Sequence, residues 1–119
     1  MNTITINGEE YVKKSEITEK AETFEGMEYC MVRTYSAGVF AGYVYKREAQ
    51  EVVLKKARRI WYWEGAASLS QLAMEGTSKP DKCKFPCEVD EVTLLNVIEI
   101  IPMTEKAKKS IEEVEIWEA

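Results

Sequence analysis

The sequence predicts an α+β fold: a twisted antiparallel sheet or small β-barrel with two or three short helices. Three stretches predict it. "MEYCMVRTYSAGVFAGYVYK" alternates apolar and polar side chains on both sides of Ala37-Gly38, as two strands around a turn do. "SLSQLAMEG" breaks that alternation. Ser68 and Gln71 have the spacing of a capping box, Leu69, Leu72 and Ala73 share a face, and Gly76 stands where a helix C-terminal cap belongs. "EVTLLNVIEIIP" returns to strand and stops at Pro102, after which Thr104 is placed to N-cap a last helix through "TEKAKKSIEE".

The other elements follow in order. "TITINGEEYV" alternates around Asn7-Gly8, and Asn-Gly supplies the positive φ angles of a type I′ hairpin turn. "SEITEKAETFEG" suits a helix ending at Gly26 or a loose connector. "KREAQ" is a polar turn, and "EVVLKKA" with "RRIWYW" reads as one long strand or as two with a bend near Ala57. "TSKPDKCKFPCEVD" is a loop and "VEIWEA" a short tail. The 119 residues form one domain: 1–26 a hairpin and connector, 27–112 the main body, 113–119 the tail. The expected core is Val32, Phe40, Val44, Val53, Leu54, Ile60, Leu72, Val92, Leu94, Val97, Ile98 and Ile100.

Composition narrows the function. There is no histidine, which removes the commonest general base and metal ligand, and with it any Ser-His or Cys-His nucleophile. Cys83 and Cys87 alone cannot close a zinc site, so no metal and no cofactor is expected, and no enzymatic activity. Three cysteines fit a reducing compartment, and "MNTITINGEE" has neither the basic nor the apolar region of a signal peptide, so the expected location is the cytoplasm. No apolar run approaches the length of a membrane span. A net charge of −5 disfavours duplex DNA as a partner, yet six basic and two acidic residues lie between Lys46 and Trp63. A local basic island on an acidic body suits a small anion or an acidic partner surface. It equally fits a polar strand edge that happens to carry Lys and Arg.

The island ends in "ARRIWYWEGAASLSQ". On a strand Ile60 would face the core, leaving Trp61 and Trp63 outward beside Arg59. Two exposed indoles need a cover: a helix of the same chain, another subunit, a partner protein or a ligand. For a ligand, the candidate residues are Arg58, Arg59, Trp61, Trp63, Gly65, Ser68, Ser70, Gln71 and Lys84. Indole would stack on a base, arginine would hold phosphate, and the start of the helix at Ser68 would add N–H donors. Lys79, Lys82 and Lys84 follow on the next loop, where they could close over the anion.

Residues 29 to 111 contain "VRTYSAGVFAGY", "ARRIWYW", "GAASLSQLA" and "CKFPCEVD". On these motifs the chain resembles a family of small proteins encoded by bacteriophages and prophages. The resemblance implies a phage gene expressed in the host bacterial cytoplasm and implies no particular activity. A second likeness, carried by Gly38-Val39-Phe40-Ala41-Gly42 and by Val52 to Ala57, is to Sm-like and SH3-like small barrels. Those barrels often form rings and bind RNA, although here a helix and loop precede the last strand and no Sm2-type motif is present. Taken together, the expectation is a non-enzymatic, homo-oligomeric phage protein. It would counter host antiviral defence by binding and sequestering a nucleotide second messenger. The alternatives are a protein-binding inhibitor of a host nuclease or defence factor, and an Sm-like RNA-binding ring.

Overall fold

The computed structural model describes residues 19–119. The expected Asn7-Gly8 hairpin lies outside them. Five strands, β1 (Tyr29–Thr34), β2 (Val39–Glu48), β3 (Glu51–Arg59), β4 (Glu88–Leu94) and β5 (Val97–Pro102), form one antiparallel sheet in the order β4-β3-β2-β1-β5. Two helices, α1 (Leu69–Glu75) and α2 (Glu105–Glu113), and a 3₁₀ turn at Pro80–Lys82 complete the fold. Residues 19–26 are not helical. Glu25 and Gly26 both have positive φ, and Phe24 and Met27 exchange backbone hydrogen bonds around them, which makes a tight hairpin-type turn.

The sheet is curled, and its connectivity requires it. β4 and β5 occupy opposite edges yet are joined by Leu95 and Asn96 alone. In a flat sheet those edges would lie about 19 Å apart, four strand spacings of roughly 4.8 Å. Three Cα–Cα steps of about 3.8 Å span at most about 11 Å. Asn96 turns the chain with φ 58°, its carbonyl accepts from Tyr35 N–H, and Val97 N–H donates to the Gln50 carbonyl on the β2–β3 turn. The expected single strand through "EVTLLNVIEIIP" is therefore two strands that belong to opposite edges. No β4–β5 ladder closes the curl among the described residues, so the expected barrel is an open, rolled sheet.

Bulges supply the bend. The β2–β3 register slips between Ala41 and Tyr43, opposite Lys56 with φ 51°, and slips again between Val44 and Lys46. The first is the bend expected near Ala57. Gly42 lies inside it: a Cβ there would come within 3.0 Å of Ala57 Cα, so the two strands can approach this closely only because the position is glycine.

Curling buries both faces of β1. Cys30 and Val32 point inward with Phe40, Val52, Leu54, Ala57, Leu94 and Val97. Tyr29 and Met31 point to the other side, where Met27, Ala41, Tyr43, Ile60, Phe85 and Met103 meet Leu72 and Ala73 of α1 and Ala107 and Ile111 of α2. Strand alternation predicts this split. Ile98, expected in the core, is instead 48% exposed, because neighbouring Val97 faces the interior of the curl. Val44, Val53, Val92 and Ile100 are only partly buried. Both helices begin where expected: the Ser68 and Thr104 hydroxyls accept from the N–H groups of Gln71 and Ala107.

Candidate functional site

β3 ends at Arg59, so Ile60–Trp63 is not the strand that "RRIWYW" suggests. Ile60 turns into the core, its N–H held by the Val39 carbonyl. Tyr62 then pairs with Lys84: Lys84 N–H donates to the Tyr62 carbonyl at 2.8 Å and Tyr62 N–H returns the bond at 3.3 Å. Beside them Phe85 bridges to Ile116, and Trp117 N–H donates to the Phe85 carbonyl at 3.0 Å. Phe85 is fully buried and anchors the arrangement.

Three short segments, around residues 62, 84 and 116, are thus laid side by side, and their side chains meet at the surface. The rings of Trp61 and Trp117 lie 6.4 Å apart at an interplanar angle of 9°. Such a pair falls within the range of offset aromatic stacks. The Lys84 ammonium sits 5.8 Å from the Tyr62 ring and 5.6 Å from the Trp117 ring. Tyr62 hydroxyl donates to the Glu64 carboxylate at 2.7 Å, a bond that pushes its pKa upward. Trp61 is 62% exposed. A pocket of about 400 Å³ adjoins the cluster, lined by Trp117 and Ile116 with Asp81, Cys83, Glu113 and Glu115.

The expected site residues separate into two groups. Trp61 and Lys84 come together with Tyr62 and Trp117, which were not expected there. Arg58 does not join them. It is buried, its Nε, Nη1 and Nη2 donating to the carbonyls of Pro86, Ile111 and Phe85 at 2.9, 2.7 and 3.1 Å. Burial pulls its pKa below the ordinary arginine range, while Tyr29, Glu88 and Cys87 work the other way. Arg59 lies over the Phe40 ring and donates to the Ala37 carbonyl. Trp63 is not a free indole. It packs on the core and donates to the Ala66 carbonyl. Gly65 has φ 88° and its carbonyl accepts from Ser78, in a contact that a Cβ would block.

The start of α1 also serves its own chain. Ser68 Oγ is taken by Gln71 N–H, Gln71 Oε1 accepts from Ala67 N–H, and Gln71 Nε2 donates to Glu75. The reciprocal half of the expected capping box lands one residue early. Ser70 lies exposed on this helix, and Lys79 and Lys82 are exposed at the 3₁₀ turn. The basic island is dispersed in the same way: Lys55 pairs with Glu91, and Lys56 lies over Phe24.

The sequence places Trp117 in a tail. The available signal was its cost: an indole amid "VEIWEA" exposes much apolar area unless something covers it. Among the described residues no group of His, Cys, Asp or Glu is arranged to hold a metal ion, and no helix is long and apolar enough to cross a membrane.

A rolled five-stranded antiparallel sheet, two helices on one face and an exposed aromatic-cationic cluster define a small, mostly β member of the α+β class. The chain belongs to the family described as "Domain of unknown function (DUF6948)", whose model matches residues 27–111. The match includes Trp61, Tyr62 and Lys84 and stops short of Trp117. No curated protein and no solved structure matches the chain.

Proposed function

We propose that this chain is a non-catalytic binding protein whose cluster of Trp61, Tyr62, Lys84 and Trp117 takes the planar base and the phosphate of a nucleotide. One observation carries the reading: an exposed indole stands in a near-parallel pair, with an ammonium group over the neighbouring rings. A base stacked on indole gains about 1–3 kcal/mol. Lys84 forms no ion pair among the described residues and supplies the charge for phosphate. Sequestration of a nucleotide second messenger by an oligomer that blunts host antiviral defence is the setting in which such a module would act. That setting rests on the sequence resemblance to phage-encoded proteins.

A second reading is a protein-binding inhibitor. It is favoured by the acidic side of the same surface, where Asp81, Glu113 and Glu115 line the pocket against Trp117. An aromatic patch ringed by carboxylates suits a basic protein partner.

Calorimetry with cyclic di- and trinucleotides, together with mass spectrometry of any nucleotide that copurifies, tests the first reading. Trp61→Ala, Lys84→Ala and Trp117→Ala should each weaken binding about tenfold or more, the loss of one stacking or charge contact. Arg59→Ala should bind as the wild type does, since its guanidinium already serves the Ala37 carbonyl. Nucleotide affinity unchanged in all three cluster variants sinks the site. A chain that binds no nucleotide but holds a purified basic partner through Trp61 favours the second reading.

A further inference from the structure

Two buried polar groups keep hydrogen-bonding capacity that neither the fold nor the aromatic cluster uses, and both line one pocket of about 290 Å³. It lies where β1 and β3 meet the end of α2, with Glu88 and Glu112 also in its wall. The first group is the Tyr29 hydroxyl. Tyr29 is 4% exposed, its ring rests edge-on against Tyr43, and its hydroxyl has no hydrogen-bond partner among the described residues. A buried hydroxyl left idle is rare and costs stability unless water or a ligand completes it. Burial, and then the charge of Glu112, hold it firmly in the neutral, donating form.

The second group is Arg58, 7% exposed. Three of its five N–H donors reach carbonyls, which leaves two. It forms no salt bridge among the described residues: its charge faces three carbonyls, the Phe85 ring at 5.5 Å and, at longer range, Glu88 opposite it on β4. A carboxylate would complete both groups at once. The acidic wall argues against a simple anion, however. Glu88 forms no salt bridge among the described residues, its charge reaching Arg58 only at longer range, and Glu112 has only Lys108, 3.7 Å away on the same helix. An ammonium group would satisfy that side.

We infer that this pocket binds a small zwitterion of the amino-acid class, its carboxylate held by Arg58 and Tyr29 and its ammonium by Glu88 and Glu112. The volume equals about ten waters of bulk liquid, enough for one amino acid. The site is separate from the aromatic cluster, although Ile116 lines this pocket as the residue before Trp117.

The test titrates the full chain with the common amino acids, and with acetate and methylamine as half-ligands, by calorimetry and thermal shift. At least one amino acid should bind, with each half-ligand weaker by about tenfold or more. Tyr29→Phe, which keeps the ring, should lower that affinity about tenfold while leaving nucleotide binding at Trp61 unchanged. Glu112→Gln, an exposed position that leaves the core intact, should weaken the amino acid and should not weaken acetate. The inference is overturned if no amino acid binds at millimolar concentration. It is equally overturned if Tyr29→Phe binds as tightly as the wild type.

Discussion

Arg58 and Arg59 are adjacent in sequence and opposite in duty. Arg58 spans the carbonyls of Phe85, Pro86 and Ile111, tying β3 to the end of α2 and to the segment that carries Lys84. Arg58→Ala would leave three carbonyls without their donor, and we expect a loss of about 3 kcal/mol or more. Arg58→Lys should recover little of it, because a point charge cannot reproduce the planar fork. Arg59→Ala should cost about 1–2 kcal/mol, one hydrogen bond and the contact with the Phe40 ring at a partly exposed position. Urea unfolding of the three variants measures this; equal losses at 58 and 59 would contradict the assignment. The sequence marked both arginines as candidate ligand residues, since composition tells where cationic and aromatic side chains are dense. What each of them binds depends on partners far along the chain. Ile111 is 53 positions from Arg58.

At the scale of elements, local signals were legible and long-range pairings were not. Ser68, Gly76 and Thr104 bound their helices as their capping chemistry indicates. Those signals act within four residues. By contrast, the alternation of "RRIWYW" fits a strand, yet β2 begins at Val39 opposite Ile60 and β4 pairs no further than Arg58, so beyond Ile60 only the isolated Tyr62–Lys84 bridge remains. The Phe85–Ile116 bridge that delivers Trp117 involves residues without any local pattern. α1 and α2 meet at Gly76, where φ is 79° and an added Cβ would collide with the Ser110 side chain. Ser110 Oγ also accepts from Thr77 N–H at 3.0 Å. Gly76→Ala should therefore destabilise by about 1–3 kcal/mol, through left-handed strain and the clash together. Chemical denaturation measures it. In a double-mutant cycle with Ser110→Gly, which by itself loses the Thr77 bond and places glycine inside α2, the coupling should equal the part due to the clash.

The rolled sheet buries both faces of β1, and the response to alkali follows from that. Cys30 faces the interior of the curl, where burial raises its pKa from 9.0 to about 11, with Glu28 adding to the rise. Tyr29, on the other face, is raised from its ordinary 10.0 as well. In both cases the folded state holds the proton more tightly than the unfolded chain. The contribution of the Cys30 thiol is complete below pH 9.0 and is lost as pH climbs toward 11, whereas that of the Tyr29 hydroxyl is complete below pH 10.0 and is lost only at higher pH still. Unfolding free energy measured across that interval should fall, and Cys30→Ala should flatten the first part of the fall. A curve indifferent to Cys30→Ala would show that the thiol lies in a wetter place. The α+β class and the antiparallel sheet were readable from alternation and turn residues. The roll was not, because nothing local in "TLLNVIE" says that its two halves belong to opposite edges.

That two-residue link has a mechanical meaning. An ordinary open sheet can shed an outer strand and keep the rest, since each margin frays by itself. Here the margins are hitched together at Leu95 and Asn96, so peeling one away tugs on the other and unrolls the whole sheet. The molecule trades two independent weak borders for a single shared seam.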